Sequence, residues 1–416
     1  MTRIRFLAAS ALTLLAVLAC AVPALPSLRP SSPTAAIPEQ AGTAVAQTLA
    51  ALPSPTAPAT ALPTASAAAS APAALLPHPV YYLNNDQKGL MQVFRLATDG
   101  KTVQQITFEP AAVDSYDVSP VDGSVAYSTN NQLYLVDLNG AGRKLLVDGG
   151  PVDDNNRFTN SVGVPAWSPD GKSIAFSHGG LNFYTLATGA ITKTLENKID
   201  TTAGFSIVSE LYAPNKYSPD GSKLLVTISF NEGGTFGIYN PADNTLVKFN
   251  RADGGGTICC DIRWVPDSSG LYAAGPTIGM VDSGLGYVDA STGLVNILLP
   301  GSAPDATYNF ALGPQAGTDG KLYFFFNNLP QIPTGGHTPL NLVRSATDGV
   351  TDRQQLTPET FQTLNEVLWA PDASLAIVAE GPTPDVYAGG VASIVYPDGR
   401  PDVKLASFAQ NLRWGP

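Results

Sequence analysis

From residue 78 onward the apolar positions come in short runs, among them Ser173-Ile174-Ala175-Phe176-Ser177, Lys223-Leu224-Leu225-Val226-Thr227 and Leu322-Tyr323-Phe324-Phe325-Phe326. The runs are rich in β-branched and aromatic residues, too short for helices, and bounded by turn residues such as Asp-Gly and Thr-Gly, so they predict strands. Apolar residues fill successive positions rather than alternate ones, which is the pattern of strands covered on both faces.

The runs repeat with a period. An apolar or aromatic residue, one small or neutral residue and a proline recur as Val118-Ser119-Pro120, Trp167-Ser168-Pro169, Tyr217-Ser218-Pro219, Trp264-Val265-Pro266, Leu312-Gly313-Pro314, Trp369-Ala370-Pro371 and Trp414-Gly415-Pro416. The intervals between the prolines are 49, 50, 47, 48, 57 and 45 residues, and all 4 Trp of the chain stand two before such a proline. Each anchor leads, mostly through a tight turn, into two β runs, another turn such as Thr188-Gly189 or Asp398-Gly399, and a last short run such as Lys144-Leu145-Leu146-Val147. Four strands per unit at a period of about 40–50 residues predict a single all-β propeller over 78–416. The first unit lacks an anchor, while the chain ends in Asn411-Leu412-Arg413-Trp414-Gly415-Pro416. The terminal strand is therefore expected to complete the first blade and remove the open seam. That closure gives seven blades, with six as the alternative if the 57-residue interval hides an irregular unit.

The residues Trp167-Ser168-Pro169-Asp170-Gly171-Lys172-Ser173-Ile174-Ala175-Phe176 and Tyr217-Ser218-Pro219-Asp220-Gly221-Ser222-Lys223-Leu224 resemble the repeat of TolB-like propellers, as do the turns Ala97-Thr98-Asp99-Gly100 and Ala346-Thr347-Asp348-Gly349. The same repeat occurs in the propeller domain of prolyl-oligopeptidase relatives. The resemblance covers Val80 to Pro416 and speaks to fold, not to function. Nothing beside the propeller corresponds to TolB's second domain, which sets a Tol-system role in question.

The N-terminal 77 residues have another character. Arg3 and Arg5 precede an uncharged apolar run, Phe6 to Ala19, suited to a signal-peptide core and short for a membrane span. The run ends in Val17-Leu18-Ala19-Cys20, which resembles the bacterial lipobox and implies lipidation of Cys20. An ordinary signal peptide cleaved at a nearby alanine is the alternative. Residues 21–77 are Ala/Pro/Ser/Thr-rich, with Arg29 and Glu39 as their only charges, and read as a disordered, semi-extended tether. The expected location is outside the cytoplasmic membrane or in the cell envelope, attached through the lipid alone.

Composition narrows the function classes. A net charge of −11 with no basic run argues against nucleic-acid partners. No Gly-x-Ser-x-Gly elbow, zinc spacing or phosphate loop occurs. Cys259-Cys260, adjacent in sequence, form a candidate vicinal disulfide at the start of an inner strand, with two free thiols as the alternative. Five residues before the anchor prolines stand Ser115, Val164, Pro214, Asp261, Asn309, Glu366 and Asn411. The last four, from consecutive units, are candidate ligands of a hard cation such as Ca2+ at the channel mouth, an arrangement similar to that of gluconolactonase-type propellers. A hydrated polar lining is the plainer alternative. Arg263 and Arg413, three before their prolines, are candidate anion contacts. The leading expectation is a monomeric, non-catalytic binding or scaffold propeller for protein, peptide or glycan; a small-molecule enzyme or sensor with a Ca-bearing mouth is the second.

Overall fold

A computed structural model describes residues 74–153, 156–200, 202, 206–255, 258–277, 282–333 and 336–416. The expected leader with Cys20, and the expected tether up to residue 73, lie outside the described residues. Leu75 and Leu76, counted with the tether from sequence, are docked: both amides donate to Thr98 O, and Leu76 is 1% exposed within a core cluster. Two adjacent leucines carry enough apolar surface to bind where the Ala/Pro/Ser/Thr stretch does not.

Among the described residues, strands account for almost all regular structure, the exception being the short helix Arg157–Asn160. Four of the sheets have four antiparallel strands: Ser115–Val118 to Lys144–Asp148, Val162–Trp167 to Ile191–Glu196, Asp261–Trp264 to Val295–Pro300, and Tyr308–Ala316 to Gln354–Phe361. A fifth, Ile207–Tyr217 to Thr245–Lys248, carries Lys198–Asp200 as an added edge. The remaining sheet has seven strands because Val403–Trp414 serves twice. Its first half pairs with Gly390–Val395, ending the set that begins at Leu364–Trp369. Its second half pairs with Val80–Asn85, with Val80 opposite Trp414 and Tyr81 opposite Arg413. The C-terminal strand thus supplies the inner strand that the first unit lacks. Counted this way, the pairings resolve into seven four-stranded units.

The core follows the same division. Seven buried apolar clusters each straddle two neighbouring units. One joins Tyr81 and Val93 of the first unit to Val125 and Tyr127 of the second, and another joins Ile377 and Ile394 of the last unit to Val80 and Leu412 of the first, which closes the circle. Successive apolar positions in the middle strands are explained: Leu224, Leu225 and Val226 are each 0% exposed, and they divide between the clusters on either side.

Antiparallel order puts the connections at two ends, and the ends differ. From the second unit onward, one end carries tight turns, several built on an Asp carboxylate that accepts hydrogen bonds from the turn itself. Asp220 Oδ1 takes Ser218 Oγ at 2.6 Å and Ser222 N at 3.0 Å, and Asp289 Oδ1 takes Ser291 N and Thr292 N at 2.9 Å each. The Ser218 hydroxyl and the turn amide hold Asp220 far below the usual carboxylate range. The other end is uneven. Its connections between second and third strands are 130–131, 179 and 231–232 in the second to fourth units, but 276–283, 330–339 and 381–389 in the fifth to seventh.

Candidate functional site

The inner strands position Asp261, Arg263, Asn309, Glu366, Asn411 and Arg413, and the decisive local feature is the β-bulge. The inner strands containing Val164, Gly313 and Asn411 shift register against their neighbours at these residues, which take φ values of +49°, +65° and +56°. A bulge frees a backbone N–H from its own ladder, and a freed N–H in a part-buried place needs another acceptor. In all three cases the preceding unit supplies it. Val164 N donates to Ser115 Oγ at 3.0 Å, Gly313 N to Asp261 Oδ2 at 2.7 Å, and Asn411 N to Glu366 Oε1 at 2.9 Å, with Leu412 N on Glu366 Oε2 at 3.0 Å.

The residues of the expected Ca2+ arc are engaged in these and further contacts. Asp261 also grips Arg263 through Nε at 2.9 Å and Nη2 at 3.1 Å. Asn309, 6% exposed, donates to Pro300 O and accepts from Asn328 Nδ2. Asn411 contributes its carbonyl to Tyr116 Oη at 2.6 Å. Each of the four residues is thus engaged as a clasp within or between units.

The anchor tryptophans run the same way round the ring. Trp264 Nε1 donates to Lys216 O at 3.0 Å, Trp369 Nε1 to Gly313 O at 2.7 Å and Trp414 Nε1 to Trp369 O at 2.6 Å, each reaching the preceding unit. Trp167 departs from the rule, its buried Nε1 having no acceptor.

Three residues before the prolines stand Asp117, Ala166, Lys216, Arg263, Ala311, Leu368 and Arg413. The charged members come from four units, and the field of one reaches the next across the channel. Arg263 Nη2 also donates to Val367 O at 2.6 Å, and Arg413 Nε stands 3.7 Å from Asp117 Oδ1, whose other oxygen takes Trp167 N at 2.7 Å. Arg263 and Arg413 are thus each already beside a carboxylate. Lys216 is the residue that sequence reasoning passed over, although it shares their register. Its side chain keeps surface open to the channel but is ringed by protein, and desolvation, then the charges of Arg413 and Arg263, pull its amine from 10.5 down to about 8, against Asp117 and Asp261. Its ammonium has no hydrogen bond or ion pair among the described residues.

That arrangement costs stability. The folded state holds the Lys216 proton less tightly than the unfolded chain does, so the cost is present in full below pH 8 and fades as pH rises from about 8 towards 10.5. Channel water screens most of it. Lys216→Met is therefore expected to raise unfolding free energy by about 1 kcal/mol at pH 7, and the gain should vanish above pH 10.5 in denaturant titrations of the two proteins.

At the uneven end, the loops of the fifth to seventh units hold one another. Thr338 Oγ1 donates to Pro276 O at 2.7 Å. The His337 ring lies 3.0 Å from Pro384 O through Nδ1 and 2.7 Å from Asn365 Oδ1 through Nε2. It stacks on Tyr387, centroids 4.9 Å apart and planes at 15°, and Tyr387 remains 63% exposed. Cys259 and Cys260 pair with each other at the same end, just before the inner strand Asp261–Trp264. A cavity of about 380 Å3 opens between the second and third units, lined in part by Asp114, Ser115, Ser128 and Val164. Burial pushes the Asp114 carboxyl up.

No family model and no curated protein matches the chain. Solved structures do. TolB from Acinetobacter baumannii is 17% identical over 80% of this chain and 81% of its own, with a TM-score of 0.40. Prolyl oligopeptidase B from Galerina marginata is 11% identical over 80% of this chain and 49% of its own, TM-score 0.49. An oligogalacturonate lyase in complex with manganese is 11% identical over 79% of this chain and 84% of its own, TM-score 0.48. On its own repeat, sheets and clusters, the chain is in fold a β-propeller.

Proposed function

We propose that the protein is a non-catalytic binding propeller that engages a protein, peptide or glycan through its loop-rich end. The observation that carries this reading is the asymmetry of the connections. Tight, self-capped turns face one way, while at the other end Pro276, His337, Thr338 and Pro384, from the longer connections, bond to one another or to Asn365, with the exposed Tyr387 stacked on His337. Binding residues belong on loops carried by a rigid scaffold, and a tyrosine fixed by its neighbours offers contact area at little entropic cost. Cys259-Cys260 sits where it would shape the rim of that surface.

The proposal includes export and a lipid on Cys20, supported by the apolar run that ends in Val17-Leu18-Ala19-Cys20 and the Pro-rich stretch behind it. A photo-crosslinking residue placed at Tyr387 in the native host should capture a partner, and one placed at Gly320, in a turn of the opposite end, should not. Equal capture at both, or capture at Gly320 alone, overturns the assignment of the face. Cys20→Ser should move the protein from the membrane fraction to the soluble one; unchanged membrane association overturns the anchor.

A further inference from the structure

The cavity between the second and third units keeps two unmatched hydrogen-bonding groups in its wall. Its volume of about 380 Å3 is that of a small-ligand cleft, and Asp114, Ser115, Ser128, Gly163 and the half-exposed Val152 and Val164 line it. Asn131, in the 130–131 connection of the loop-rich end, braces it. Its Nδ2 donates to Gly150 O at 2.8 Å and its Oδ1 accepts from Val162 N at 2.7 Å. Ser115 Oγ and Ser128 Oγ lie 2.8 Å apart, and Ser115 Oγ also accepts from Val164 N at 3.0 Å. Two hydroxyls carry two hydrogens, and only one is spent on their mutual bond. Whichever serine donates, the other keeps a hydrogen with no acceptor among the described residues, although Ser128 is only 1% exposed. The adjacent Asp114 carboxylate accepts no hydrogen bond and pairs with no cation among the described residues.

We infer that this cavity is a saccharide subsite, in which two neighbouring hydroxyls of a sugar ring meet the Asp114 carboxylate and the free hydrogen of the Ser115–Ser128 pair. The inference deepens the reading of the loop-rich end as the binding face, and rests on it, by naming the ligand class. The hydrogen-bond inventory selects that class. An ammonium has three donors and no acceptor, so it would satisfy Asp114 and leave the serine hydrogen unmatched. A carboxylate or phosphate would match the serine and set a second anion against Asp114. A hydroxyl both donates and accepts, and two on adjacent carbons supply one of each at a short, fixed spacing. Val152 and Val164 offer apolar surface to the C–H groups of the ring. The serine pair is held in place, because Ser115 Oγ is the acceptor for an amide that the bulge at Val164 frees from its own ladder.

The full chain is titrated with the methyl α-pyranosides of glucose, galactose and mannose, with cyclohexanol and n-butylamine as controls, and binding is read by saturation-transfer difference NMR. At least one glycoside should bind, and neither control should match it. Two variants locate the binding. Asp114→Ala removes the acceptor and strands no partner, since the carboxylate has none among the described residues. Gly163→Val fills the cavity: a Cβ there meets only Ser177 Oγ at 3.9 Å and Ser128 Oγ at 4.0 Å, so it approaches the serine pair without meeting backbone. Each variant should weaken the glycoside at least fivefold while keeping the parent's melting temperature. If Gly163→Val melts early, Asp114→Ala decides alone. Silence of all three glycosides, unchanged affinity in Asp114→Ala, or binding of n-butylamine or cyclohexanol as tight as that of the best glycoside overturns the subsite. The binding face fails by a different readout, equal photo-capture at Tyr387 and Gly320. Silent glycosides with capture confined to Tyr387 therefore remove the subsite and leave the face.

Discussion

Removing residues 410–416 is expected to cost the protein on the order of 5 kcal/mol or more, enough to abolish a cooperative melt in a fold of ordinary stability. The loss is compound. Leu412 is 4% exposed within the cluster that joins the last unit to the first, and Trp414 packs on the same cluster. Burying two such side chains is worth roughly 2–3 kcal/mol each. The strand Val80–Asn85 would lose the partner opposite Val80, Tyr81 and Leu83, leaving an unpaired edge inside the ring. Tyr116 Oη would lose its acceptor on Asn411, and Trp369 O its donor on Trp414. A truncated chain that melts within a few degrees of the full one would show that the terminal segment is not the closing strand. Thermal unfolding followed by near-UV circular dichroism makes the comparison.

The second large effect lies at the other side of the same joint. Glu366→Ala should cost about 2 kcal/mol, because two backbone donors, Asn411 N and Leu412 N, lose a charged acceptor in a half-buried place. Glu366→Gln should cost about half as much, since an amide oxygen accepts while its NH2 opposes the second donor. The test of mechanism is a cycle. In a chain carrying a closing strand weakened by Trp414→Ala, the Glu366→Ala cost should shrink, because residues sharing one joint are not additive. A cost unchanged in the weakened background would place Glu366 in some other role.

Much of the architecture was legible because it is written in residues with few alternatives. All 4 tryptophans stand two before an anchor proline, and three of them turn out to hold the preceding unit through Nε1. A large side chain that must also place one donor leaves little room for substitution. Asp-Gly announced tight turns for the same kind of reason: the carboxylate caps the turn and glycine takes the positive φ. The site was less legible. Asp261 and Glu366 drew attention as oxygen donors at one register, and their register was right. What they bind was hidden, since their partners are amides freed by bulges at Gly313 and Asn411, and a bulge leaves no mark in hydrophobic periodicity. Lys216 was within reach of the same alignment, in line with Arg263 and Arg413. It was passed over because position alone does not distinguish a paired cation from an unpaired one. The contrast between the two ends of the ring was also visible in outline, as the turn-rich segments between runs lengthen after residue 275. Only the sheet pairing assigns those lengths to one face.

The central claim is a ring closed by its own last strand, with the joint locked from both sides. Hydrogen exchange followed by mass spectrometry tests it on the intact chain. Terminal residues ordinarily fray and exchange at once. If the ring closes as described, the amides of Asn411, Leu412 and Gly415, bound to Glu366 and to Pro79 O, should exchange as slowly as those of the buried strand Gly270–Gly275. Exchange of the 410–416 segment at the rate of an unstructured tail would contradict the account.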